Sequence, residues 1–190
     1  MYNLYNLTIP LLWLSWCALW MILALGAKKN RWQESRLSKL SYTIPGLLAF
    51  WALVWTAPPD QFWFRPFLPW SPAFYWTGVA LMLAGFAVTV WARLVLGANW
   101  SATVTVKENH ELVTRGPYRL VRHPIYSGLL LAVLGSALPR EDLRAVVAVL
   151  VFLFALLRKA GIEEGRMIAT FGDEYRAYRR RTKAVIPYIL

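Results

Sequence analysis

Arg115–Gly128, RGPYRLVRHPIYSG, separates two apolar stretches and decides how the chain is read. Three arginines and a histidine would be costly inside lipid, so this run lies at a membrane face. It closes on a helix start: His123-Pro124 precedes the apolar run Ile125–Leu138, and proline suits the first helical position. A helix start at a membrane surface, preceded by the glycine turn Gly116-Pro117, is suited to cradle an anionic ligand group.

Working outward, apolar residues form five blocks: Leu4–Ala27, Ser41–Ala57, Ala73–Leu96, Ile125–Leu138 and Leu143–Leu157. With 58% of the 190 residues hydrophobic, 16% charged and no amphipathic spacing within the blocks, the chain reads as an all-α, polytopic membrane protein of about five spans. The first and third blocks reach the roughly 20 residues that cross the hydrocarbon, the second is marginal and the last two are short. Pro139–Asp142 joins those two into an expected helical hairpin.

Lys28, Lys29, Arg31, Arg36 and Lys39 follow the first block and mark a cytoplasmic loop. The Pro58–Pro72 loop holds one basic residue, Arg65, among Trp63, Phe64, Phe67 and Trp70, and reads as an outer aromatic belt. The amino terminus is then expected outside, with the Gly97–Pro124 loop and the basic tail inside. Positive loops of this kind account for the net charge of +11 without a nucleic-acid partner. Met1–Leu25 carries no charge and reads as a retained span rather than a signal peptide. The single cysteine, Cys17, excludes an internal disulfide.

Both histidines, His110 and His123, lie in the Gly97–Pro124 loop, and Glu163-Glu164 follow the fifth block. A hairpin would bring these groups to one side, together with Phe171-Gly172-Asp173-Glu174-Tyr175. The result is a helix amino terminus for a carboxylate, carboxylates for a cation or hydroxyls, and tyrosines for an aromatic ring: a pocket for a zwitterionic nucleoside. Plainer roles stand beside these. His123 caps a helix, and Glu163 and Glu164 are solvated beside Arg158, Lys159 and Arg166. Arg179-Arg180-Arg181 meets anionic lipid, Arg93 snorkels, and Tyr118 and Tyr126 anchor at the interface. The chain has no GxGxxG or phosphate-loop fingerprint and no HExxH spacing, so a Rossmann cofactor site and a zinc site are not expected. Paired intramembrane charges of an ion pathway are also lacking.

At these residues the chain resembles the integral-membrane methyltransferases, both the isoprenylcysteine carboxyl methyltransferases and the phospholipid N-methyltransferases. The resemblance runs from Gly97-Ala98-Asn99-Trp100-Ser101 through His110-Glu111-Leu112-Val113, Gly116-Pro117-Tyr118 and Arg122-His123-Pro124-Ile125-Tyr126 to Glu163-Glu164 and Phe171–Tyr175. It implies S-adenosyl-L-methionine as methyl donor, in a cytoplasmic pocket under the last two helices. Its implied cofactor residues are His110, Glu111, Leu112, Val113, Tyr118, His123, Pro124, Ile125, Tyr126 and Glu163, with His123 and Glu163 positioning. Lys159 stands where the family has a substrate-side arginine, with Arg158 adjacent; the lysine keeps the charge but not the bidentate fork. Residues 1–190 would form one domain, with three spans in 1–96 and the cofactor-binding half in 97–190. The expected reaction is carboxyl O-methylation of an isoprenylcysteine-like, lipophilic or lipidated substrate. Phospholipid amine N-methylation is the alternative within the class. An NADPH-dependent sterol-type reductase and a non-enzymatic scaffold are the alternatives outside it. No obligate protein partner and no metal are expected, and a bacterial inner membrane or endoplasmic reticulum would serve equally as host.

Overall fold

The computed structural model describes residues 2–25, 30–55, 62–67, 71–100, 105–107 and 112–189. His110 and Glu111 lie outside the described residues, as do Ser101, Lys28, Lys29, Trp70 and the last residues of the first two apolar blocks. The described residues form six α-helices: α1 (Tyr2–Ala24), α2 (Arg36–Val54), α3 (Pro72–Leu96), α4 (Pro124–Ala137), α5 (Leu143–Phe171) and α6 (Asp173–Arg181). Their ends follow local chemistry. Ser35, Ser71 and Asp142 accept from backbone N–H groups in the first turns of α2, α3 and α5. Glycines at positive φ, Gly97 and Gly172, end α3 and α5.

The chain is an integral membrane protein. Among the described residues four helices, α1, α2, α3 and α5, are long and apolar enough to span. The expected fifth, α4, has 14 residues; at 1.5 Å per residue it extends only about 21 Å of a roughly 30 Å core. The expected hairpin is also modified. Residues 138–142 join α4 to α5, yet α4 packs chiefly along α3 and α5 along α2. Nor does α5 stop near Leu157: it runs 29 residues to Phe171, since it holds no proline and tolerates Gly161 and Gly165 until Gly172 ends it at positive φ. A small antiparallel ribbon, β1 (Asn30–Gln33) with β2 (Thr105–Lys107), supplements the all-helical architecture.

Trp13 anchors the core among Ile9, Leu53, Met82, Phe86 and Val133. Its indole N–H donates to Ser136 Oγ at 3.0 Å, and Trp16 donates to Thr89 Oγ1 at 2.9 Å. These bonds tie α1 to α4 and α3 where lipid offers no substitute partner. The α3–α4 seam is closer still. Gly78 faces Gly135 and Gly85 faces Gly128, so a Cβ on Gly85 would lie 2.4 Å from the Gly128 carbonyl oxygen.

The two ends of the bundle differ. At one, Phe67 N–H donates to Glu141 O at 2.6 Å and Arg144 donates to Trp55 O at 2.6 Å, beside exposed Trp63. The opposite end gathers the start of α2, the start of α4 and the polar half of α5 around His123.

Candidate active site

Residues 182–185 build the floor under α4. Val121 bridges Lys183 in parallel, Arg122 N–H donates to Lys183 O at 2.8 Å, and His123 N–H donates to Ala184 O at 2.9 Å. Ser127 Oγ donates to Val185 O, and the Val185 side chain is fully buried. This strap fixes the backbone from which His123 projects.

The imidazole of His123 lies between two carboxylates. Nδ1 is 3.4 Å from Glu163 Oε2 and Nε2 is 3.3 Å from Glu164 Oε1. Two ring nitrogens facing two acceptors call for the imidazolium, which alone has two N–H donors. Burial works against that charge, but hydrogen bonds and attraction from Glu163 and Glu164 prevail and hold its pKa above the ordinary histidine value. The ring stacks on Tyr126 with centroids 5.2 Å apart and planes 4° apart, and Tyr126 donates to Glu163 Oε1 at 2.6 Å. Glu164 also accepts from Arg122 Nε at 2.8 Å and pairs with Arg179 Nε at 3.1 Å. Lys159 Nζ sits 5.4 Å from the Tyr126 ring centroid and 5.5 Å from that of Tyr42, whose hydroxyl donates to Glu34.

A pH dependence follows. A histidine whose folded pKa is raised contributes stability that is complete below its unfolded value, about 6.5, and that is lost as pH rises through the folded value. The melting temperature of the wild type relative to His123→Gln should therefore shrink as the pH is raised through that window. A difference that stays constant with pH would remove the imidazolium from the account.

Of the residues expected in the site, His123, Pro124, Tyr126, Glu163 and Lys159 converge. Ile125 packs beside Tyr126 against Leu156 and Val185. Tyr118 is buried, but its hydroxyl donates to Ala92 O at 3.4 Å and its carbonyl accepts from Tyr178, which directs it toward α3. Leu112 and Val113 are half-buried, and Arg158 is exposed on the outer face of α5.

Several plainer roles give way. The His123 side chain makes no capping bond. Glu164 is buried rather than solvated, and Tyr118 and Tyr126 are interior. Arg93 does not snorkel: it is 5% exposed, donates to Gly97 O and Leu23 O, and lies 4.7 Å over the Trp100 ring. Glu164 and Arg122 belong to the quoted motifs Glu163-Glu164 and Arg122–Tyr126, and the structure adds Arg179 and Tyr42 to the site. Nothing local marks Tyr42, which arrives on α2 from the amino-terminal half.

The donor set suits a methyl donor carrying a sulfonium, an amine and hydroxyls. Glu163 keeps 22% of its side chain exposed while Glu164 keeps 9%, so Glu163 presents the open carboxylate face. Two tyrosine rings already hold an ammonium, and such faces attract other onium cations. Among the described residues no cluster of metal-ligating side chains is present.

Comparison with known proteins finds similarity to metal-resistance proteins and to membrane methyltransferases. A cobalt-zinc-cadmium resistance protein of Cupriavidus metallidurans is 44% identical over 94 residues, covering 48% of this chain and 43% of that protein. The protein-S-isoprenylcysteine O-methyltransferase of Schizosaccharomyces pombe is 35% identical over 104 residues, covering 52% and 43% respectively. The solved structure of the eukaryotic intramembrane Ras methyltransferase, isoprenylcysteine carboxyl methyltransferase, superposes with a TM-score of 0.57 at 25% identity, covering 78% of this chain and 53% of that one. The chain thus spans about half the length of these relatives. The sequence profile of the phospholipid methyltransferase family matches residues 73–174, more than half the chain, and the protein belongs to that family.

Proposed function

We propose that the protein transfers a methyl group from S-adenosylmethionine to the carboxylate of a lipophilic, isoprenylcysteine-like acceptor, presented by a lipidated polypeptide or a small amphiphile. The observation that carries this reading is the buried His123–Tyr126–Glu163–Glu164 cluster with a fixed cation, Lys159, beside it. When bound, the donor supplies an activated methyl on a positively charged sulfur. Glu163 and the tyrosine faces favour that cation, and His123 positions Glu163. Pro124, Ile125 and Tyr126 belong to the same set, with Leu112, Val113 and Tyr118 assigned to it by resemblance. His110 and Glu111 complete the set by resemblance.

An acceptor carboxylate, with a pKa near 4, is ionised at neutral pH and needs no general base. What the site contributes is positioning and exclusion of water. Lys159 favours an anionic acceptor, whereas an amine would approach like charge and would first have to lose a proton. For that reason O-methylation is preferred here to N-methylation of a phospholipid amine. Arg158 is a second, outward cation on the same helix. By loop charge this end faces the cytoplasm, in a bacterial inner membrane or the endoplasmic reticulum, with the amino terminus outside.

Calorimetric binding of S-adenosylhomocysteine to the detergent-purified protein tests the reading. Micromolar affinity is expected, weakened on the order of tenfold in His123→Ala and Glu163→Ala, the loss expected for one charged hydrogen bond. No binding to the folded wild type with lipid restored would overturn it, and thermal protection by NADPH in its place would indicate a reductase.

A further inference from the structure

Beyond the His123 cluster, on the far side of the Arg122 and Arg179 side chains, lies a cavity of about 470 Å³. Its wall carries Arg119, Arg122, Arg179, Arg180, Arg181 and Lys183, and no carboxylate. Glu164 approaches from the cluster side, where Arg122, His123 and Arg179 engage it. Arg119, Arg180, Arg181 and Lys183 have no acidic partner among the described residues. The carboxyl end of α6 would ordinarily set a negative dipole against an anion here. Arg122 cancels it by donating to the carbonyls of Arg179, at 3.3 Å, and of Thr182.

The rim has the opposite character. Leu120 is exposed, Tyr188 is 90% exposed and Ile189 stands beside it. A cationic hollow with an apolar lip, part of whose wall (Arg119–Arg122) leads into α4, is an arrangement that holds a lipid by its headgroup while its chains stay in the acyl boundary. The volume falls among small-molecule sites, about 300–1,000 Å³, and exceeds what one inorganic anion fills.

We propose that this cavity binds the phosphate-bearing headgroup of an anionic phospholipid, which would seat the cytoplasmic end of the bundle on the membrane surface next to the His123 cluster. The proposal is independent of methyl transfer, since binding is read directly. In uncharged detergent, the intact chain is titrated with short-chain phosphatidylglycerol, short-chain phosphatidylcholine and inorganic phosphate, with melting temperature as readout. Saturable stabilisation by phosphatidylglycerol, none by phosphatidylcholine, and no displacement by an equal concentration of phosphate are expected. Arg180→Gln/Arg181→Gln/Lys183→Gln changes three exposed side chains and should leave the fold intact. It should weaken phosphatidylglycerol binding by between tenfold and on the order of a hundredfold, as the loss of three surface cations implies. Arg119→Gln should weaken it as a single change. Equal response to the two lipids, or wild-type affinity in the triple variant, would overturn the site. Displacement by phosphate would make it a free-phosphate site and overturn the lipid.

Discussion

Gly85→Val is expected to destabilise the protein by about 3 kcal/mol or more, the upper range for overpacking a tight interior. A Cβ at Gly85 would lie 2.4 Å from Gly128 O and 2.7 Å from Ala132 N, both backbone atoms that no rotamer change can move. The reciprocal approaches are equally tight, with a Cβ on Gly128 falling 2.5 Å from Gly85 O and one on Gly135 falling 2.4 Å from Gly78 O. The two contacts sit a heptad apart on each helix in antiparallel register, so relieving one would force the whole α3–α4 seam to open. Membrane helices associate by packing and interhelical polar contacts, with no hydrophobic gain from leaving lipid, so the seam has little else to fall back on. Opening it would also strain the Trp16–Thr89 and Trp13–Ser136 bonds. Thermal unfolding in detergent measures the effect. Gly161→Ala is the control: nothing lies within 4 Å of its added Cβ, and it should gain about 0.5–1 kcal/mol from helix propensity. A Gly85→Val protein as stable as the wild type would refute the seam.

The second large effect is expected at Glu164. Its carboxylate serves Arg122, His123 and Arg179 at once, and both it and Arg122 keep only 9% of their side chains exposed. Glu164→Leu leaves Arg122 and Arg179 without their carboxylate and His123 with Glu163 alone, and breaking a buried pair in this way costs about 3–5 kcal/mol. Glu164→Gln, which still accepts a hydrogen bond, should fall between. Adding Arg122→Met to Glu164→Leu removes the stranded charge as well, so the double variant should regain part of the loss. Unfolding measurements on the four-member cycle supply the coupling. Additive losses, or a Glu164→Leu protein within about 1 kcal/mol of wild type, would show that the cluster does not act as a unit.

The amino-acid sequence disclosed some of this and concealed the rest for physical reasons. Long apolar blocks identify α1 and α3 as spans, and Ser71-Pro72 and Gly97 mark the ends of α3. The extension of α5 to Phe171 is hidden because the apolar block ends at Arg158 and Lys159, although charged residues are good helix formers. The β1–β2 ribbon is too short for strand periodicity and joins segments far apart in the chain. Glycines 78, 85, 128 and 135 carry the spacing of the seam, but spacing on one helix does not name its partner. At the site, Arg122–Tyr126 and Glu163-Glu164 were legible as motifs. Tyr42 was not, because an aromatic residue on an apolar helix looks like core until the fold brings Lys159 over its ring. Arg93 misled for a related reason: the sequence shows a cation near a span end but not the Leu23 and Gly97 carbonyls that retain it indoors.

The strap formed by residues 182–185 has a consequence for biogenesis. Arg122 and His123 owe their backbone partners to Lys183 and Ala184, which are synthesised only after α1–α5. Chains grow at about 5–20 residues per second, so the inserted bundle waits seconds after His123 is made before its floor exists. A nascent chain stalled before Thr182 would hold the helices without their finished pocket. Ligand binding by ribosome-arrested chains of increasing length should accordingly switch on late, once this segment clears the exit tunnel.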